Sequence, residues 1–279
     1  VESVTHDSTP KTLKKIGADI ETLVLSRAVN CHLQSQIIVS GNKAIVFPEA
    51  GEWFKWRIIQ KEFPKGGGSE FINCTYILKI ICIGRNYAKH IEELANERPE
   101  HPVVFLKPDS AILPRKNPFF IPPFSDDIHY EVEVLVKINK VGKHISEKFA
   151  PKYYDEIGLG IDFTARDVQA KCKEKGLPWE KAKAFDGSAV VGEFYPKEQF
   201  DLENLKFQLT KNNVLVQDGN TNEMLWKMDA LISYVSQYFT LKKGDIIFTG
   251  TPAGVGRVVE NDVLVGTIEG KEAFNIRVK

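Results

Sequence analysis

The 279 residues are 43% hydrophobic and 27% charged, a balance that suits a folded globular chain and excludes wholesale disorder or a collagen-like repeat. Thirty-seven basic and 37 acidic residues cancel, so no global field draws the chain to nucleic acid or to an anionic membrane, and a charged partner must be recognised locally. No apolar run is long enough to span a bilayer, residues 1–25 lack a signal-peptide pattern, and the four cysteines form no CxxC pair; the expected location is cytoplasmic, with reduced thiols.

The sequence begins with Val1, and its two methionines are Met224 and Met228. That points to a fragment, a processed chain or a reading frame opened upstream of the native start. Residues 1–77 offer a helix candidate at Thr12–Leu25, an apolar run at Gln36–Val46 and a linker-like Lys65-Gly66-Gly67-Gly68-Ser69. They carry no chemical motif, and the expectation is an N-terminal extension that adds little to a catalytic domain over residues 78–279.

From Lys79 onward, short apolar runs alternate with turns rich in Pro, Gly and Asp. Lys79–Ile83 reads as a strand that turns at Gly84 into a helix from Asn86 to about Asn96, with Tyr87, Ile91 and Leu94 at helical spacing. Val103–Leu106 is a second strand. Tyr130–Ile138 alternates strictly and is the clearest strand of the chain. A buried strand at Gly158–Ile161 precedes a helix that Thr164 and Asp167 would open as a capping box and Gly176 and Pro178 would close. Strands follow at Leu205–Thr210, Val214–Gln217 and Asp245–Thr249, with an amphipathic helix near Met228–Phe239. Strands predominate without regular βα alternation, which favours a β-rich α+β fold over a doubly wound sheet.

Glu131 and Glu133 sit two apart on the Tyr130–Ile138 strand and so project from one face, about 7 Å apart at their backbones. They fit a solvated strand face, or oxygen ligands of a hard cation such as Mg²⁺ or Mn²⁺. Asp162 closes an apolar strand and could join them, or could accept backbone N–H bonds at a helix start. His90 and Glu93, three apart on the first helix, make either an ordinary polar face or a His–carboxylate pair able to take a proton from water. Arg166, Gln169 and Lys183 could hold a carboxylate or carbonyl, or lie on the surface. The Gly250–Gly256 loop lacks the context of a nucleotide-binding motif.

Taken in order, Ile83-Gly84-Arg85-Asn86-Tyr87-Ala88-Lys89-His90, Phe105-Leu106-Lys107-Pro108, Glu131-Val132-Glu133, Asp162 through Asp167, Lys183-Ala184-Phe185-Asp186 and Thr249-Gly250-Thr251-Pro252 resemble the fumarylacetoacetate hydrolase family over some 200 residues. The resemblance implies a mixed β-sandwich roll, commonly a homodimer, with Glu131, Glu133 and Asp162 as ligands of Mg²⁺ or Mn²⁺. It places His90 and Glu93 as the water-activating dyad on a mobile lid, Lys183 beside the metal, and Arg85, Arg166, Gln169 and Thr251 around a small 2-oxo acid. The first activity it implies is C–C bond hydrolysis of acylpyruvates through a metal-stabilised enolate. The same chemistry would serve oxaloacetate decarboxylation or isomerisation of hydroxydienedioates. A metal-binding β-protein without catalysis is the reading from another class.

Overall fold

The computed structural model describes residues 37–40, 43–46, 57–60, 79–93 and 97–279. The chain divides into two units, Val1–Ile72 and Asn73–Lys279. In the first, β1 (Ile37–Ser40), β2 (Lys43–Val46) and β3 (Arg57–Gln60) pair antiparallel in sequence order. The apolar run at 36–46 thus contributes two strands. The helix candidate at 12–25, the linker-like 65–69 and Leu94 lie outside the described residues.

The second unit is an α+β fold dominated by strands. Its largest sheet joins six: β4 (Ile80–Gly84), β5 (Val103–Lys107), β7 (Val132–Ile138), β8 (Tyr154–Asp162), β10 (Ala189–Pro196) and β13 (Ile246–Phe248), in the order β10-β8-β7-β13-β4-β5. Only β13 and β4 run parallel, so the sheet is mixed. A four-stranded antiparallel sheet orders β12 (Val214–Asn220), β11 (Lys206–Lys211), β15 (Val263–Ile268) and β16 (Lys271–Arg277). A small third sheet links β14 (Gly256–Arg257), β6 (Ile128–Tyr130) and β9 (Thr164–Ala165).

The six-stranded sheet is apolar on both faces because both are covered. One face, carrying Ile81, Val132, Val134, Leu159 and Ile161, shares a core with Phe207, Leu209, Leu264 and Ile268 of the four-stranded sheet. Ile80, Cys82, Leu135, Ile246 and Phe248 fill a separate cluster on the other face. Helix α4 (Met228–Tyr238) adds Met228, Leu231, Ile232 and Val235 to the larger core, the i, i+3, i+4, i+7 stripe expected of an amphipathic helix.

Two expectations are corrected here. The Tyr130–Ile138 strand is interrupted at Glu131: Tyr130 ends β6 in the small sheet, and Val132 begins β7 in the large one. Glu131 occupies the junction, where its carbonyl accepts from Asp162 N at 2.9 Å. Second, helix α2 (Arg166–Glu174) has Ala165 at its N-cap and no side-chain cap bond. Thr164 lies in β9 with its hydroxyl turned to Lys183, and Asp167 accepts from Ser125 Oγ and its neighbour Val168 N. The predicted stop holds: Gly176 adopts φ +61° just past the helix, where a Cβ would be strained.

Candidate active site

Three strand ends converge at the start of β7. Glu131 and Glu133 flank Val132, and Asp162 closes the neighbouring β8, whose Ile161 pairs with Val132. One carboxylate oxygen from each lies within 4.8 Å of the others, and all three side chains are buried. At that spacing each pair of ionised carboxylates would repel by at least about 3–4 kcal/mol, taking an effective dielectric near 20. Three such pairs rival the whole stability of a domain, so the cluster requires positive charge.

The chain supplies part of it. Lys183, on the short helix α3 (Glu180–Lys183), places Nζ 2.8 Å from Glu131 Oε2, 2.7 Å from Asp162 Oδ2 and 2.6 Å from Thr164 Oγ1. Arg166 at the head of α2 donates Nη2 to Glu131 Oε1 and Nη1 to Gln169 Oε1. Lys107, completely buried at the end of β5, lies 2.8 Å from Asp162 Oδ1 and donates to the Lys183 carbonyl and to Ser188 Oγ at 3.0 Å. Burial alone would raise the Glu131 pKa and lower that of Lys183. The opposite charges outweigh it in both: Lys183 and Arg166 hold Glu131 well below the usual carboxylate range, and Asp162 and Glu131 push Lys183 up.

Glu133 is different. Among the described residues it pairs with no cation, and its Oε2 accepts only from Gly250 N, at 2.7 Å. Burial, then the charges of Asp162 and Glu131, push its carboxyl well above the ordinary range. Asp162 Oδ1 is also buried without a hydrogen bond, its contact with Lys107 being ionic only. A buried carboxylate without a cation of its own, in an all-oxygen donor set, fits a hard divalent cation.

Gly250 is fixed by two constraints. Its φ of +101° turns the N–H to Glu133, and a Cβ there would meet Asn86 Cβ at 2.7 Å. Asn86 in turn donates to the Thr249 carbonyl at 2.7 Å and accepts from Trp226 N, which anchors the approach to helix α1 (Ala88–Glu93).

A cleft opens over the carboxylates, lined in part by Arg85, His90, Arg166, Gln169, Lys183 and Thr251. Every candidate site residue except Glu93 borders it. Glu93 stands behind His90: its Oε2 is 3.3 Å from His90 Nδ1, and both its oxygens accept from Gly254 N. His90 is buried on α1 rather than solvated, and desolvation lowers its pKa despite Glu131 and Glu93. The imidazole therefore stays neutral near pH 7. With Nδ1–H donated to Glu93, Nε2 is the ring nitrogen free to accept a proton.

Sequence reading left four contributors without a role. Lys107 stood in a quoted motif, but nothing in Leu106-Lys107-Pro108 says that its ammonium is buried. Gln217, on β12, accepts from Val132 N and donates to Thr251 Oγ1 and the Pro252 carbonyl, tying the carboxylate strand to the cleft loop. Lys173 and Trp179 line the mouth; the α2 spacing Arg166, Gln169, Lys173 was the available signal for the first.

A β-rich α+β scaffold with buried carboxylates and interleaved cations under one cleft defines a small-molecule enzyme site. Residues 79–279 match the family described as fumarylacetoacetate (FAA) hydrolase, C-terminal. The chain belongs to the fumarylacetoacetate hydrolase family. It is 44% identical over 201 residues to the oxaloacetate tautomerase FAHD1, mitochondrial, of Bos taurus, covering 72% of this chain and 91% of that protein. It is 42% identical over 194 residues to the oxaloacetate decarboxylase, mitochondrial, of Dictyostelium discoideum, covering 69% and 89%. The crystal structure of fumarylpyruvate hydrolase from Pseudomonas aeruginosa in complex with Mn²⁺ and pyruvate superposes with a TM-score of 0.69 at 33% identity, covering 72% of this chain and 89% of that one.

Proposed function

We propose that this protein is a divalent-metal-dependent enzyme of 2-oxo acids whose substrate is oxaloacetate, interconverting its enol and keto forms and releasing CO₂ from it as a slower reaction. The observation that carries this reading is the buried Glu131–Glu133–Asp162 cluster under a cleft that also presents the buried histidine His90. Relatives named for oxaloacetate chemistry, above 40% identical over most of their length, support it over acylpyruvate hydrolysis, the first activity implied by the sequence resemblance.

Glu131, Glu133 and Asp162 would hold Mg²⁺ or Mn²⁺, which when bound supplies Lewis acidity toward the 2-oxo group and stabilises enolate charge. Arg166, Gln169 and Thr251 orient the 2-oxo acid, and Lys183 adds positive charge where the enolate oxygen develops. In ketonisation a proton is added at C3 while the enol O–H proton leaves. His90 Nε2 exchanges the proton at C3, and Glu93 holds the ring through Nδ1–H. In decarboxylation the C3–C4 bond breaks, CO₂ departs with C4, and the electron pair left on C3 takes a proton to give pyruvate.

Hydrolysis of acylpyruvates is the second reading, favoured by the same His90–Glu93 pair, which can deprotonate water, and by the likeness to a fumarylpyruvate hydrolase. The test is to give the purified protein oxaloacetate or acetylpyruvate with Mn²⁺ or Mg²⁺, following loss of the enol absorbance and release of pyruvate. Fast, chelator-sensitive ketonisation of oxaloacetate with slow acetylpyruvate cleavage is expected. The reverse ranking would make the protein an acylpyruvate hydrolase.

A further inference from the structure

Helix α2 lays Arg166, Gln169 and Lys173 along one face, at i, i+3 and i+7, and all three border the cleft. Arg166, at the inner end, also donates to Glu131 and Gln169. Lys173, one turn further toward the mouth, makes no ion pair with any carboxylate among the described residues. Its Nζ stands 5.5 Å from the centre of the Trp179 ring, itself a cleft wall. Arg85, which also lines the cleft, likewise pairs with no carboxylate among the described residues, and its guanidinium donates to the Glu97 carbonyl at 3.5 Å. Arg85 reaches the cleft from a backbone at φ +58°, a conformation disfavoured for a residue with a Cβ. The mouth thus gathers cations that repel one another, with an aromatic face to steady one of them.

We propose that this outer end is a second anion subsite, in which Lys173, held over Trp179 and helped by Arg85, takes the distal carboxylate of a dicarboxylic 2-oxo acid. The inner end would hold the 2-oxo acid group common to all the substrates considered, so the proposal rests on the function given above and names the residues that hold the second carboxylate of its substrate. Burial and the like charges of Arg85 and Arg166 also lower the proton affinity of Lys173, a cost that an anion between them would relieve. Lys173 is accordingly a specificity-determining residue with no part in proton transfer.

The experiment compares pyruvate with 2-oxoglutarate by calorimetric titration of the full Mn²⁺-supplemented chain, and measures kcat and KM for oxaloacetate, in wild type, Lys173→Met and Lys173→Arg. We expect the wild type to prefer the dicarboxylate. Lys173→Met should weaken dicarboxylate binding and raise the oxaloacetate KM about tenfold, the scale of one charge contact near a surface. Pyruvate binding and kcat should stay within about twofold, and Lys173→Arg should recover most of the loss. The dicarboxylate preference should also shrink as salt is raised. Equal losses for pyruvate and 2-oxoglutarate, or no loss in Lys173→Met, would overturn the subsite. A preserved dicarboxylate preference with no turnover of oxaloacetate would leave the subsite standing and remove the proposed activity; binding of neither acid would overturn both.

Discussion

Lys107 Nζ lies 2.8 Å from Asp162 Oδ1, with both side chains shut off from solvent. Lys183 meets the other oxygen of the same carboxylate at 2.7 Å, and the Lys107 ammonium also donates to the Lys183 carbonyl. Asp162 is therefore clamped between two lysines that are themselves linked, which fixes the direction its carboxylate presents to Glu131 and Glu133.

Removing one member of a buried pair strands the other, at a cost of about 3–5 kcal/mol. Lys107→Met should lower the urea midpoint accordingly and weaken Mn²⁺ binding, since Asp162 loses its clamp. Added Mn²⁺ should restore part of the lost stability. Denaturant unfolding with and without the ion measures both effects. An unchanged midpoint would show that the Lys107 charge contributes nothing to the cluster.

His90 gives the pH dependence its sign. Burial lowers its pKa, so the base form persists below the ordinary histidine range and activity that depends on it should fall only at more acidic pH. The same shift acts on folding: the unfolded chain binds the proton more readily, so the histidine's contribution is present above about pH 6.5 and is lost as pH falls toward the folded-state value. His90→Ala should lower ketonisation by about 10²–10⁴-fold and remove the acidic limb it imposes on kcat/KM. Decarboxylation, which needs no water activated by the dyad, should suffer less than acetylpyruvate cleavage in both His90→Ala and Glu93→Gln. Equal losses in decarboxylation and acetylpyruvate cleavage would mean that the pair acts by shaping the cleft.

Gly250→Ala tests the backbone donor to Glu133. A Cβ at φ +101° and 2.7 Å from Asn86 Cβ forces the loop to shift, with a cost of order 1–3 kcal/mol. The expected result is a lower melting temperature together with weaker Mn²⁺ binding, read by thermal unfolding and titration. Weaker stability with unaltered metal affinity would separate the turn from the site.

The parts legible in the sequence are those with a short period or a local spacing. Short apolar runs between turns exposed most of the strands of the second unit, and Glu-x-Glu put two carboxylates side by side. The i, i+3 spacings tied His90 to Glu93 and Arg166 to Gln169. What was hidden depends on distant chain segments. The break at Glu131 arises because Tyr130 and Val132 pair into different sheets, which alternation alone does not reveal. Thr164 and Asp167 have the spacing of a capping box, yet a lysine 19 residues away claims the Thr164 hydroxyl. Gln217 is polar on a strand that reads as ordinary, and only its bonds to Val132 and Thr251 give it meaning. Gln217→Leu removes those bonds at similar volume and should cost about 1–3 kcal/mol through the Val132 N–H left buried. It should also raise the oxaloacetate KM more than it lowers kcat.

In the proposed site three buried carboxylates hold one divalent ion. The most direct test is a Mn²⁺ titration followed by the loss of free-ion electron paramagnetic resonance signal, in wild type and in Glu133→Gln, with circular dichroism confirming that the variant is folded. Binding of one Mn²⁺ per chain by the wild type, weakened by at least about tenfold in the folded variant, is the predicted result. Equal Mn²⁺ binding by the two proteins, or none by the wild type, would contradict it.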